Sequence, residues 1–169
     1  MDEVSLDLEP PLHACWMKRG QQKCIPALHP GTKQHGHLFG AYCWNDDTVD
    51  WQVADWKNGQ TFIKFIEYLL VEKHPTGCIV LVMDNVSYHK SAAVLAALSL
   101  FEHRVLVIWL PPYCPELNLI ERYWRHLKDL TCANKLHDTI QAVVASAEYF
   151  LAEQNICTSQ YRLTFSKEL

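Results

Sequence analysis

The sequence predicts an α/β protein in which a mixed sheet carries packed helices. Three observations lead there. Ile79–Met83 is a continuous apolar run of strand length, and residues 104–110 form a second. Apolar residues recur at helical spacing before, between and after these runs. Ahead of all of them, two β-prone segments flank Asn45-Asp46-Asp47, a hairpin signature.

Each element has its own reason. Residues 3–8 alternate weakly, with Val4, Leu6 and Leu8 apolar, and read as the end of a strand. Residues 9–20 are rich in proline and charge and read as loop, and 21–28 as a strand. Residues 37–44 and 48–55 are the hairpin strands. Asn58 or Gly59 caps a helix running to about residue 74, with Phe62, Phe65, Ile66, Leu69 and Leu70 on one stripe. Pro75-Thr76-Gly77 stops it. Ile79–Met83 and 104–110 are unbroken enough to be strands buried on both faces, and Pro111-Pro112 ends the second. Residues 90–101 are an Ala/Leu-rich helix, and 115–130 are helical. Asp138-Thr139-Ile140-Gln141 resembles a capping box for a last helix, with Ile140, Val143, Val144, Ala147 and Leu151 inward. The whole, residues 1–169, is expected to be one domain.

Composition excludes some classes. No run approaches the roughly 18 apolar residues of a membrane-spanning helix. The opening Met-Asp-Glu is no secretion signal. The seven cysteines are odd in number and irregularly spaced, which fits reduced thiols, with Cys43, Cys78 and Cys132 in apolar surroundings. A cytoplasmic location follows as the expectation. The net charge of −4 gives no hint of nucleic-acid binding, but a carboxylate cluster creates its own acidic patch and basic residues can gather elsewhere.

Two acids stand out. Asp84 ends the apolar run from Cys78, and ligands of open α/β sheets bind beyond the carboxyl ends of strands. The competing reading makes Asp84 or Ser87 a helix cap. Glu121 follows with 36 residues between. At about 100° per residue, Leu117, Ile120, Trp124 and Leu127 share one sector, and Glu121 lies just past its edge. It can reach toward Asp84, or pair with Arg125 at i,i+4 on the surface. Asp2-Glu3 reads as a solvated end. His35-x-His37 lacks a third ligand at metal-site spacing, and Trp16, Trp44, Trp51, Trp56 and Trp109 read as core or hairpin packing.

The combination is more specific than its parts. Asp84-Asn85-x-x-x-His89-Lys90 precedes Leu110-Pro111-Pro112-Tyr113-x-Pro115-Glu116-Leu117-Asn118-x-Ile120-Glu121-Arg122-x-Trp124. This strongly resembles the DDE transposases of the Tc/mariner superfamily, in particular the bacterial insertion-sequence branch. Asp2-Glu3-Val4, Trp16-x-x-Arg19-Gly20-Gln21 and Phe165-Ser166-Lys167 are also similar to that family.

The resemblance implies a ribonuclease-H-like fold with Asp2, Asp84 and Glu121 as catalytic, metal-binding acids. It implies two Mg²⁺ ions, replaceable by Mn²⁺, cutting DNA and transferring strands at transposon ends and target. Such chemistry uses two hard cations about 3.5–4 Å apart, one activating the attacking oxygen and one stabilising the leaving oxygen, and carboxylates suit Mg²⁺. Water is the nucleophile for cleavage and a DNA 3′-hydroxyl for strand transfer. His89, Lys90, Arg122 and Arg125 lie near enough in sequence to contact DNA phosphates. A homodimer that holds two DNA ends, and a bacterial, nucleoid-associated protein without a membrane, also follow from the resemblance.

Two departures shape the expectations. The family's helix-turn-helix region has no counterpart in these residues, and the strand leading into the first acid is reduced to Met1. Asp2 is therefore expected to fray. The alternative function is an inactive, truncated remnant that only binds DNA or a full-length partner. A ribonuclease acting on RNA hybrids would share the fold, but not the block from Pro111 to Trp124.

Overall fold

The structure is a computed structural model describing residues 1–22, 24–25, 34–112 and 114–156. Its strands are β1 (Asp2–Asp7), β2 (His35–Cys43), β3 (Thr48–Ala54), β4 (Ile79–Met83) and β5 (Val105–Trp109). Its α-helices are α1 (Gly59–Glu67), α2 (Ala92–Ser99), α3 (Leu119–Thr131) and α4 (Ile140–Ile156). One compact unit contains Met1–Val4 and His37–Tyr123; a second contains Ser5–Gly36 and Trp124–Leu169.

Three strands form a sheet in the order β1-β2-β3, and β4 pairs with β5. The β2–β3 hairpin is antiparallel and runs from Cys43↔Thr48 to His37↔Ala54. Its turn closes at Asp47, whose φ of 58° is tolerated by a short polar side chain. The Asp47 N–H donates to the Cys43 carbonyl at 2.9 Å, and the Tyr42 hydroxyl donates to Asp47 Oδ1 at 2.6 Å. The two apolar runs pair in parallel, from Ile79↔Val105 to Met83↔Trp109. Parallel pairing needs a long crossover, and α2 lies within it.

α1 begins where its cap allows. Asn58 Oδ1 accepts from the Gln60 and Thr61 N–H groups at 3.0 Å, and Thr61 Oγ1 accepts from the Asn58 N–H at 3.2 Å. The helix widens into a π-helical segment, Tyr68–Lys73, before Pro75. Arg104 donates to the carbonyls of Leu70, His74 and Pro75, satisfying acceptors that a helix end leaves open. Gly77 then takes a φ of 85° and turns the chain into β4.

The apolar stripe on α1 and the π segment packs inward as its spacing predicts. Phe62, Phe65, Ile66, Leu69 and Leu70 join Phe39, Leu81, Met83, Val94 and Leu98 in one core. That core covers only one face of β4 and β5. Val80, Leu106 and Ile108 are 56%, 61% and 45% exposed, so the expectation of strands buried on both faces is wrong. The runs are apolar throughout, and periodicity therefore carries no sign of which face lacks a cover.

Other boundaries shift for local reasons. The helix expected from residue 90 begins at Ala92, because Ser91 Oγ accepts from the Val94 N–H and residues Ser87–Lys90 form a 3-10 turn. Pro115–Leu117 is likewise a 3-10 turn before α3, which leaves Leu117 half exposed, contrary to its expected inward place. Thr139 caps α4 through its hydroxyl, 3.2 Å from the Ala142 N–H, and Val143, Ala147 and Leu151 are buried in the second unit. The strand expected over 21–28 is not formed at residues 21, 22, 24 and 25; its remainder lies outside the described residues. Tyr113 and the segment 165–167 also lie outside them.

Trp16 and Trp56 are exposed rather than packed, as is Cys78, while Cys132 is buried. Among the described residues every cysteine is free. No described helix is long and apolar enough to cross a membrane.

Candidate active site

Asp2, Asp84 and Glu121 all belong to the first unit. Asp2 opens β1, where alternation turns Asp2, Val4 and Leu6 inward. It is 7% exposed, so the expected fraying does not occur. The Met1 ammonium donates to the Val82 carbonyl at 2.9 Å and ties the start of β1 to the edge of β4. A cavity of about 620 Å³, lined among others by Met1, Ala41, Cys43, Val80 and Val82, adjoins this contact.

Asp84 follows the last residue of β4. Its Oδ1 accepts from the Val86 N–H at 3.3 Å and lies 2.9 Å from His89 Nδ1. It does not cap α2, a role that falls to Ser91. Burial works to raise the Asp84 carboxyl, but the bonds from His89 and the Val86 N–H outweigh it and hold the pKa below the usual value.

Glu121 sits in the first turn of α3, where the helix dipole favours an acid. Ile120, Tyr123, Trp124 and Leu127 form the buried stripe, and Glu121 is half-buried beside it. Glu121 makes no ion pair with Arg125 among the described residues.

The three acids share one electrostatic field. Burial raises the Asp2 carboxyl to about 7, and the negative charges of Glu121, Glu3 and Asp84 add to the rise. Such crowding is what a cation relieves, and three carboxylates are the donor chemistry a hard divalent ion prefers. Among the described residues the buried Oδ1 of Asn85 lacks a hydrogen-bond partner, and it is a neutral amide oxygen, also a hard donor. The residues fit such an ion in chemistry and charge. As they stand, no three His, Cys, Asp or Glu side chains among the described residues converge on a single ion position.

His89 corrects an expectation. It is fully buried and cannot face DNA phosphates. Its Nε2 lies 2.7 Å from Glu3 Oε1, and its ring centre 4.0 Å from that of Phe62. Burial lowers its pKa, but the bonds to Asp84 and Glu3 prevail and raise it to about 9. Both ring nitrogens are thus donors at neutral pH. Glu3, expected with Asp2 at a solvated end, instead has a buried side chain. Its neighbour Asp2 carried the motif, and the one available signal was strand alternation, which sends Glu3 to the opposite face. Lys90 and Arg122 are exposed, as is Arg125 further along α3, and Lys90 Nζ stands 4.9 Å from the Trp109 ring centre.

The DDE superfamily endonuclease model matches residues 1–143. The chain belongs to the DDE superfamily endonuclease family. This DDE endonuclease chain is 29% identical over 150 residues to the insertion element IS630 uncharacterized 39 kDa protein of Shigella sonnei, covering 89% of this chain and 43% of that protein. Its fold is that of the Mos1 transposase paired-end complex with left transposon end, at TM-score 0.69 and 17% identity, covering 93% of this chain and 49% of that one. A Mos1 mariner paired-end complex with Mn is similar at TM-score 0.62 and 15% identity, covering 93% and 49%. The DDE chain spans about half the length of the proteins it matches. The likeness to Mos1 is one of fold, and it agrees with the ribonuclease-H-like architecture expected from the sequence.

The Asp2 field has a testable consequence. A carboxyl raised in the folded state keeps its proton there while the unfolded chain has lost it. Stability therefore falls as pH rises from the ordinary carboxylate value, 3.8, through about 7. A divalent cation binds the ionised form, so its stabilising effect grows over the same range. Thermal unfolding with and without Mn²⁺ should show a larger shift at about pH 8 than at about pH 5. An equal shift at both would contradict the shared field.

Proposed function

We propose that residues 1–169 are the catalytic domain of a transposase, with Asp2, Asp84 and Glu121 as its metal-binding acids. The observation that carries this reading is the charge crowding at Asp2, which is raised to about 7 by burial, Glu121, Glu3 and Asp84. In this reading the acids hold two Mg²⁺ ions, with Mn²⁺ able to substitute, and the ions supply activation of the attacking oxygen and stabilisation of the leaving one.

The chain's own residues do the rest. His89 and the Val86 N–H hold Asp84 ionised. Asp2 gives up its proton when the site is loaded, a change that Glu121 opposes in the empty field. Exposed Lys90, Arg122 and Arg125 take the phosphates of transposon ends and target DNA, as point charges for Lys90 and forks for the arginines. Two such chains, each holding one end, make the homodimer that joins them to a target. With the bacterial origin that the resemblance implies, a DNA substrate places the chain with the nucleoid.

Purified chain is incubated with supercoiled plasmid and Mn²⁺. Nicking should appear, vanish with EDTA, and fall steeply with salt through the phosphate contacts. An inert but folded chain, retaining DNA binding alone, would favour the remnant reading.

A further inference from the structure

The strands carrying the first two acids are not ladder neighbours: β1 belongs with β2 and β3, while β4 pairs with β5. Something else must set the distance between Asp2 and Asp84. Two links are present. One is the Met1 ammonium on the Val82 carbonyl. The other is the His89 ring, placed between Glu3 Oε1 at 2.7 Å and Asp84 Oδ1 at 2.9 Å. Successive residues of a strand point to opposite faces, so Glu3 grips from the face opposite Asp2.

The ring itself is fixed. It packs against Phe62 at 4.0 Å between centroids, tilted by 31°, and meets Tyr88 edge-on at 4.6 Å. The Glu3 side chain is 5% exposed and that of His89 0%, so the Glu3–His89 bond is shielded from competing water, while the Asp84 side chain at the other end is 35% exposed. Both bonds to Asp84 use Oδ1, from His89 and from the Val86 N–H. Oδ2 has no hydrogen-bond partner among the described residues.

We propose that His89 is a positioning residue: held between Glu3 and Asp84, its ring fixes the strand bearing Asp2 against the strand end bearing Asp84 and orients Asp84 for cation binding. This rests on the reading of Asp2 and Asp84 as metal-binding acids. Partners that orient ligating side chains typically change metal affinity by about 10- to 100-fold when removed.

The test measures Mn²⁺ affinity of the DNA-free chain by the electron paramagnetic resonance of free Mn²⁺. Glu3→Leu keeps bulk and deletes the acceptor; Glu3→Gln keeps an oxygen for the ring N–H. His89→Phe keeps the ring contact with Phe62 and deletes both bonds, and serves if Glu3→Leu does not fold. Far-ultraviolet circular dichroism and cooperative melting confirm the fold. Glu3→Leu and His89→Phe should bind Mn²⁺ about 10- to 100-fold more weakly, while Glu3→Gln stays close to the parent. In nicking, the Mn²⁺ requirement should rise while the KM for DNA is unchanged. The ¹⁵N shifts of the His89 ring should change with Glu3→Leu, because Nε2 loses its Glu3 partner.

Parent-like affinity in folded Glu3→Leu and His89→Phe overturns the proposal, as does a Glu3→Gln defect equal to that of Glu3→Leu. Asp84→Asn separates the two ideas. If it abolishes Mn²⁺ binding while the Glu3 and His89 variants do not weaken it, only the positioning role falls. If Asp84→Asn also binds normally, the metal reading falls and takes the positioning role with it.

Discussion

Asp84→Asn abolishes Mn²⁺-dependent nicking, by roughly a thousandfold or more. The substitution keeps the shape of the side chain and its place after β4, but removes the charge. Asp84 is held ionised by the bonds from His89 and the Val86 N–H, which outweigh its burial. Its role as an anion is therefore prepared before any ion arrives. A bound metal supplies several kcal/mol of transition-state stabilisation, and about 1.4 kcal/mol corresponds to tenfold in rate. Loss of a central ligand removes most of that. The amide retains an oxygen near His89, so the fold should survive and melting should stay cooperative. The measurement is the initial rate of plasmid nicking against Mn²⁺ concentration. A variant that nicks at even a tenth of the parent rate would remove Asp84 from the catalytic acids.

Phe62→Ala destabilises the protein by about 3–5 kcal/mol. Phe62 is fully buried, with ring centres 6.0 Å from Phe39, 6.2 Å from Tyr88 and 4.0 Å from His89. Its removal leaves a cavity beneath a buried imidazole, and the bonded ring on one side restricts collapse. Urea unfolding should show a lower midpoint with an unchanged slope. A loss below about 1 kcal/mol would show that the core closes over the gap. Folded Phe62→Ala should also show altered ¹⁵N shifts for His89, because the ring loses the aromatic neighbour it packs against.

Much of the architecture was legible in the residues. Strand runs, hairpin turn and helix cap are local patterns, spanning a few positions each. Asn45-Asp46-Asp47 closes a hairpin because Asp47 accepts a positive φ at little cost. Asn58 and Thr61 start α1 because their side chains reach N–H groups within one turn. Asp84 and Glu121 were visible as an acid at a strand end and an acid beside a buried helical stripe.

The tertiary structure decided what lies far apart in sequence. His89 and Glu3 are separated by 86 positions, and no periodicity links them. On sequence grounds His89 belonged with Lys90 as a surface cation; topology buries it between two carboxylates instead. Asp2, beside the chain start, is held by the inward turn of Val4 and Leu6 and by the bond from Met1 to Val82. Val80, Leu106 and Ile108 look like core residues and are exposed, because an apolar run records the preference of a strand and not which of its faces another element covers. Short-range spacing, in physical terms, determines secondary structure through backbone geometry and side-chain reach. The pairing of distant charged groups depends on which strand ends the fold brings side by side, and on how little water remains between them.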